Sequence, residues 1–339
     1  MVKTSAGLFD LQVNGFAGVD FNDAGLTAAG LDQALRAMLA SGVTRCLPTL
    51  ITATEEDLRA RFAALDAAVA DSELGPAMVA GYHLEGPFLN PAPGFAGCHP
   101  PDAMGAPDPD LLQRVTAGLR RPVRLLTLAP ERDGADRVIA WALARGMLVA
   151  IGHADAGAAV VERAAASGVR MSTHLGNGLP QLLHKLDNPI MAQLAEERLT
   201  AGFIADGVHL PVPALRAMIR AKGPGRAVLV TDAVSAAAAL PGRYGFAGMA
   251  IDGAADGSVR TPGGGTLAGS ALTLDRAVRN LVEWGIATPT EAVAMASAVP
   301  AGLLGEVPAG RVTWSAAMRV QRVELDGIVY RSPVGEDTA

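Results

Sequence analysis

The chain has 339 residues, half of them hydrophobic, with 28 Lys and Arg against 34 Asp and Glu and a net charge of −6. That balance gives no basic footprint for nucleic acid, and the scattered cations do not suggest an anionic membrane surface. The apolar runs are too short to span a bilayer. The first residues, "MVKTSAGLFDLQ", lack the apolar core of a signal peptide, and the two cysteines make no disulfide framework in a chain this long. A reduced, cytoplasmic enzyme is the expectation.

Taken in order, the apolar runs are "LFDLQVN", "VTRCLPTL", "AMVAGYHLE", "VRLLTLAPE", "GMLVAIGH", "VRMSTHL", "LTAGFIAD" and "RAVLVTD". Ala-rich stretches with helical spacing lie between nearly all of them, such as "TAAGLDQALRAMLASG" and "GAAVVERAAASG". Several end in Gly, as helix C-caps do. Eight strands alternating with helices predict an α/β (β/α)8 TIM barrel. The competing open doubly wound sheet would favour a Gly-rich phosphate turn after the first strand, and "NGFAGVD" matches that poorly.

Beyond the eighth run, "LTLDRAVRNLVEWG" and "PTEAVAMASAVPAGLLG" read as helices, and "RVTWSAAMRVQRVELDGIVYRS" returns to strand alternation. The expected division is a catalytic barrel over 1–306 and a reduced β appendage over 307–339. Cys46, in an apolar run, reads as a core residue, and Cys98, in "GFAGCHPP", as an exposed loop thiol with nothing nearby to make it a nucleophile.

In such a barrel, active sites form at the C-terminal ends of the strands. The first run ends on Gln12 and Asn14, which share a strand face with Asp10. The third ends on His83 and Glu85, the fourth on Glu131, the fifth on His153 and the sixth on His174. The seventh leads into Asp206 and His209, and the eighth ends on Asp232. A single histidine at a strand end is ordinarily a satisfied core or surface residue. Four on one rim, with carboxylates among them, are harder to assign that way. Glu85, His153 and His174 together form the donor set of a catalytic zinc with a position left open for water. Glu131, beside Arg132, reads as an ion-pair residue, and Asp206 as a partner that orients a histidine.

The motifs "HLEGPFLN", "GHADA", "THLGNGLP", "IADGVHL", "VTDA" and "GTLAGSALT" resemble, in this order, those of the N-acetylglucosamine-6-phosphate deacetylases of the amidohydrolase superfamily. The resemblance runs from Phe9 to about Gly305. It implies that Glu85, His153 and His174 hold the metal and that Asp232 is the general acid/base. It also implies that His99, Asn177, Gly178 and His209 contact the substrate, the last three at the sugar phosphate. Many amidohydrolases place two histidines where Gln12 and Asn14 stand and hold a second metal with them. Neutral amides ligate poorly, so the resemblance implies one divalent metal per chain, with Gln12 and Asn14 supporting its surroundings. Zinc is the first expectation, and iron or cobalt would suit the same donors.

Two departures stand out. The family usually has a strand-rich segment before the first barrel strand, and this chain reads as starting at the barrel. The family's loop after the sixth strand carries an Arg that reaches the phosphate of a neighbouring subunit. Here "NGLPQLLHKLDNPI" offers Lys185 near that position, without a bidentate fork. The expected activity is therefore removal of the N-acetyl group from N-acetylglucosamine 6-phosphate, giving glucosamine 6-phosphate and acetate. The alternatives are the same hydrolysis on an unphosphorylated N-acyl amino sugar or N-acyl amino acid, and a catalytically silent binding barrel. A homodimer is what the resemblance implies about assembly.

Overall fold

The computed structural model describes residues 2–263 and 265–331, so residues 332–339 of the expected appendage lie outside the described residues. Eight parallel strands form one sheet, each beside its neighbour in sequence: Leu8–Val13, Val43–Ile51, Tyr82–Glu85, Val123–Leu128, Leu148–Ile151, Met171–Ser172, Thr200–Phe203 and Ala227–Leu229. The ring closes between first and last. The Asp232 N–H donates to the Gln12 carbonyl at 2.9 Å, and the Asn14 N–H donates to the Ala233 carbonyl at 2.7 Å. This is the (β/α)8 barrel expected from the alternation.

The strands read as short apolar runs because both of their faces are covered. Leu148–Ile151, for example, is buried at every position. The helices read as amphipathic because only one face is. In Ala28–Ala40 the buried residues are Leu31, Ala34, Leu35, Met38 and Leu39, a stripe that meets the barrel wall. Thr27 caps this helix by accepting from the Gly30 N–H. Gly42 leaves it at φ +87°, a conformation that disfavours any side chain. Thr54 caps Glu55–Asp71, whose first turn carries Glu55, Glu56 and Asp57 against the positive end of the helix dipole.

Besides a two-stranded ribbon of Gly15–Phe16 with Val19–Asp20, the described residues form two small four-stranded antiparallel sheets. One has the order Thr4–Ala6, Arg311–Trp314, Val320–Leu325, Ile328–Arg331. The chain therefore does not start at the barrel, because Thr4–Ala6 joins the appendage strands in front of it. Trp314 Nε1 donates to Ser5 Oγ across that seam at 2.9 Å. Three residues carry too little alternation to read as a strand before their partners are known.

The second small sheet was not expected from the sequence. Gly242–Phe246, Met249–Gly253, Ser258–Arg260 and Leu267–Ser270 form it, inserted between the eighth barrel strand and the helix Leu274–Glu283. Phe246, Ile251, Val259 and Ala268 bury together with Val234 and with Ile51 of the second barrel strand. The Ser270 N–H donates to the Asp232 carbonyl at 2.9 Å, and the Val234 N–H donates to the Ser270 carbonyl at 3.1 Å. The sheet is thus fastened to the C-terminal mouth of the barrel. Among the described residues, no helix is long and apolar enough to cross a membrane.

Candidate active site

A cavity of about 680 Å³ opens at that mouth, a size suited to a small polar ligand. The barrel brings Asn14, Glu85, His153, His174 and Asp232 to it from five different strands or the turns that follow them. Asn177, Gly178, His209 and His99 line it as well. Three of these residues take backbone conformations that L-residues rarely adopt: φ is 52° at His153, 24° at His174 and 48° at Asp232. Strain of roughly 1–3 kcal/mol per residue persists only where the surroundings over-determine it, and such positions concentrate at functional sites.

The donors converge at the cavity floor. Glu85 Oε1 lies 3.0 Å from His174 Nε2 and 3.4 Å from His153 Nε2. The two imidazole nitrogens are 3.3 Å apart. Tetrahedral ligands each about 2.1 Å from one cation would stand about 3.4 Å from one another, so the three fit a divalent metal in both chemistry and spacing. His153 Nδ1 donates to the Phe95 carbonyl at 2.6 Å, which leaves the Nε2 lone pair facing the other donors. The backbone of Gly178 crosses this ring so closely that a Cβ there would sit 2.5 Å from His153 Nδ1.

Charge at the floor is tightly balanced. Burial alone would raise the Glu85 carboxyl, but its close contacts with the His153 and His174 imidazoles reverse this and hold it well below the usual range. Burial likewise opposes charge on His174, and Glu85 outweighs it, raising that imidazole to about 9. The cluster is therefore one in which a buried carboxylate requires positive charge beside it.

His99 also reaches the floor. Its Nδ1 bonds Thr52 Oγ1 at 2.9 Å, and its Nε2 is 3.9 Å from Glu85 Oε2. Glu85, His99 and His153 offer one donor each within 4.8 Å of one another, a second possible grouping around the same carboxylate. The tighter 3.0–3.4 Å set favours His174 as the partner. Burial lowers His99 to about 3 and so keeps it neutral.

Gln12 and Asn14 hold two carboxylates in place. Gln12 Nε2 donates to Glu85 Oε2 and to Asp232 Oδ1, each at 3.1 Å, and Asn14 Nδ2 donates to Asp232 Oδ1 at 2.8 Å. Asp232 is raised to about 6, first by burial and then by the charge of Glu85. Asp10, the third residue on that face, serves the closure of the ring. It accepts from Thr231 Oγ1 at 2.6 Å and from the Thr231 N–H at 3.2 Å, fixing the residue that precedes Asp232. On the opposite wall, His209 Nδ1 pairs with Asp206 Oδ2 at 2.6 Å, so the other ring nitrogen is left for a ligand. Asp206 thus orients a histidine, as its position in the sequence suggests.

Lys185 is exposed and is not among the residues that line this chain's own cavity, where a cation that reaches a neighbouring subunit would also be outside. Two expectations need correction. Glu131 makes no pair with Arg132; it accepts from Asn90 Nδ2 at 3.0 Å and from the Asp155 N–H at 2.7 Å, tying three loops together. Cys98 lines the cavity half-buried, and burial raises its thiol to about 12, which keeps it protonated.

His83, counted from the sequence among the four rim histidines, is instead fully buried below the floor, bonded to Thr49 Oγ1 at 3.1 Å and Thr127 Oγ1 at 2.8 Å. Sequence reasoning missed the whole contribution of the inserted sheet, Phe246, Arg260 and Leu267 at the cavity wall.

A sequence profile of the amidohydrolase family matches residues 4–313. An N-acetylgalactosamine-6-phosphate deacetylase of Escherichia coli O157:H7 is 34% identical over 329 residues, covering 94% of this chain and 85% of that one. An N-acetylglucosamine-6-phosphate deacetylase of Bos taurus is 36% identical over 311 residues, covering 88% and 74%. The crystal structure of N-acetyl-D-glucosamine-6-phosphate deacetylase from Mycobacterium smegmatis superposes with a TM-score of 0.87 at 30% identity, covering 96% of this chain and 87% of that one. The chain belongs to the amidohydrolase family, and within it to the branch of deacetylases that act on N-acetylated amino-sugar 6-phosphates. That superfamily is metal-dependent, and a Glu/His/His donor site is present here.

Proposed function

We propose that the protein hydrolyses the N-acetyl group of N-acetylglucosamine 6-phosphate, releasing glucosamine 6-phosphate and acetate. The observation that carries this reading is the meeting of Glu85, His153 and His174 within 3.0–3.4 Å, beside an Asp232 held by two amides. In this reading those three residues hold one divalent cation, zinc first. A cation there supplies Lewis acidity, polarising the acetyl carbonyl and acidifying water.

The chain's own groups do the rest. Asp232, kept in place by Gln12 and Asn14, takes the proton of the attacking water and returns it to the departing nitrogen. Without that proton the amine would have to leave as an anion. Gln12 bridges Glu85 and Asp232, so the group that holds the metal and the group that moves the proton keep one spacing. His209, set by Asp206, and the Asn177–Gly178 backbone bind the phosphate end, while His99 contacts the sugar as a neutral imidazole. A single cation suits the site because amides occupy positions 12 and 14. A cytoplasmic homodimer completes the proposal.

The test is acetate release from N-acetylglucosamine 6-phosphate, its unphosphorylated form and N-acetylgalactosamine 6-phosphate. The first should be the best substrate. A second reading, in which the galactosamine epimer is preferred, is favoured by the relative from Escherichia coli O157:H7, which matches 94% of this chain. Faster turnover of that epimer would establish it. Equal turnover of the unphosphorylated sugar would remove the phosphate from the reading, and no turnover of any N-acyl compound would leave a binding barrel.

A further inference from the structure

We infer that His83 is a positioning residue, the central link of a buried hydrogen-bonded belt that sets the spacing of Glu85, His153 and His174. The inference rests on the proposed function, because it takes those three residues as the metal donors.

The belt runs inside the barrel, below the cavity floor. The Val13 N–H, between Gln12 and Asn14, donates to Thr49 Oγ1 of the second strand at 3.1 Å. Thr49 Oγ1 meets His83 Nδ1 of the third strand at 3.1 Å, and His83 Nε2 meets Thr127 Oγ1 of the fourth at 2.8 Å. Thr127 Oγ1 then meets Thr173 Oγ1, just past the sixth strand, at 2.7 Å. Thr49, His83 and Thr127 are fully buried, and Thr173 is nearly so.

The fourth and sixth strands are not neighbours, so the last bond has to cross the fifth. Gly152, which follows that strand, leaves the room. A Cβ there would sit 2.6 Å from Thr127 Cγ2 and 2.9 Å from Thr173 Cβ. Each proposed donor therefore stands one or two residues from the belt. Glu85 is two residues past His83 on the same strand face, His153 follows Gly152, and His174 follows Thr173.

The protons give the belt one direction. Thr173 donates to Thr127, Thr127 donates to His83 Nε2, and His83 Nδ1 donates to Thr49, which donates to the Leu47 carbonyl at 3.3 Å. Reversed, the Thr173 hydroxyl would have no acceptor among the described residues. A neutral imidazole suits the central place because it donates from one ring nitrogen and accepts at the other. An unpaired member would be costly at this depth, so the belt holds its strands at fixed separations. That support matters most at His174, whose φ of 24° persists only where its surroundings impose it.

The competing role is packing, with His83 only filling the barrel interior. Packing alone would lower the unfolding temperature and leave metal binding by the folded protein unchanged. Positioning would alter the metal site in protein that is still folded, and a cut in the belt beyond His83 would do the same.

The experiment compares wild type with His83→Leu, Thr127→Val and Thr127→Ser. Thr127→Val keeps the side-chain shape and cuts the belt, and Thr127→Ser restores the hydroxyl. Zinc affinity is measured by competition with a chromophoric chelator, at a temperature where circular dichroism shows each metal-free protein folded. Visible absorption of the cobalt-loaded proteins is recorded alongside. His83→Leu and Thr127→Val should each weaken zinc binding about 10–100-fold and shift the cobalt bands, while Thr127→Ser stays near wild type. Should His83→Leu fail to fold, the Thr127 pair decides. A Thr127→Val protein with wild-type zinc affinity and cobalt spectrum, or a loss that Thr127→Ser shares in full, overturns the inference and leaves the proposed function standing. A wild type that binds no metal overturns both.

Discussion

At the floor of the cavity, Glu85 is 1% exposed, His153 5% and His174 4%, and each is bonded to another. At the rim, Leu182 is 91% and Leu186 67% exposed, and Arg260 rests on a turn of the inserted sheet. The floor is made by strand ends that cannot move without opening the barrel. The rim is made by a loop and an insertion that touch the barrel along one side. Bond-breaking chemistry needs fixed distances, and substrate choice needs a surface that can vary without disturbing them. The comparison therefore assigns reaction type to the floor and substrate preference to the rim.

The sharpest break should come from the floor. His153→Ala or His174→Ala removes one of three converging donors, so the purified variants should lose both their metal and their activity. Metal analysis by mass spectrometry reads this directly. A fully loaded, active His174→Ala protein would move the third donor to His99, whose ring already stands 3.9 Å from Glu85.

Next in size is Asp232→Asn. It should retain the metal and lose about 10²–10⁴-fold in kcat, the usual contribution of a general acid–base group. The wild-type acid limb belongs to the same residue. Its carboxyl is raised to about 6 by burial and Glu85, and it works as a base only when ionised, so kcat/KM should fall as pH drops through that region. A cation in the site draws the limb lower by favouring the ionised form. The Asn variant should lack that limb.

Gln12→Ala should come third. It releases the bridge between Glu85 and Asp232 while leaving every proposed metal donor in place. A loss of about 10–100-fold in metal affinity or activity is the expected scale for such a partner. The smallest effect belongs to the rim: Lys185→Ala should leave kcat and KM unchanged on phosphorylated and neutral sugars alike. A selective loss on the phosphorylated sugar would return Lys185 to the site.

The floor was legible in the sequence and the rim was not, for related reasons. Barrel strands covered on both faces must be apolar, so each polar residue at a strand end, such as Glu85, His153 or Asp232, stands out against its run. The inserted sheet has open faces and small residues, and "GRYGFAGMAIDGAADGSVR" offers little contrast. Its one usable signal is Tyr244 and Phe246 alternating toward Ala247–Gly248, where φ is 52° and 87°, both values of a two-residue hairpin turn. Ala in such a turn is unusual, which hides it. The direction of Lys185 was not legible because its distance along the chain from His174 says nothing about which way a loop leaves the barrel. Thr4–Ala6 becomes a strand only through partners some three hundred residues later, at Arg311–Trp314.

The most direct test of the account is a metal titration of the chelated protein, following acetate release from N-acetylglucosamine 6-phosphate. One equivalent of zinc, iron or cobalt per chain should restore activity in full, with the break in the curve at a ratio of one. Activity that persists without metal, or that needs two equivalents, would contradict the single Glu85–His153–His174 centre on which the account rests.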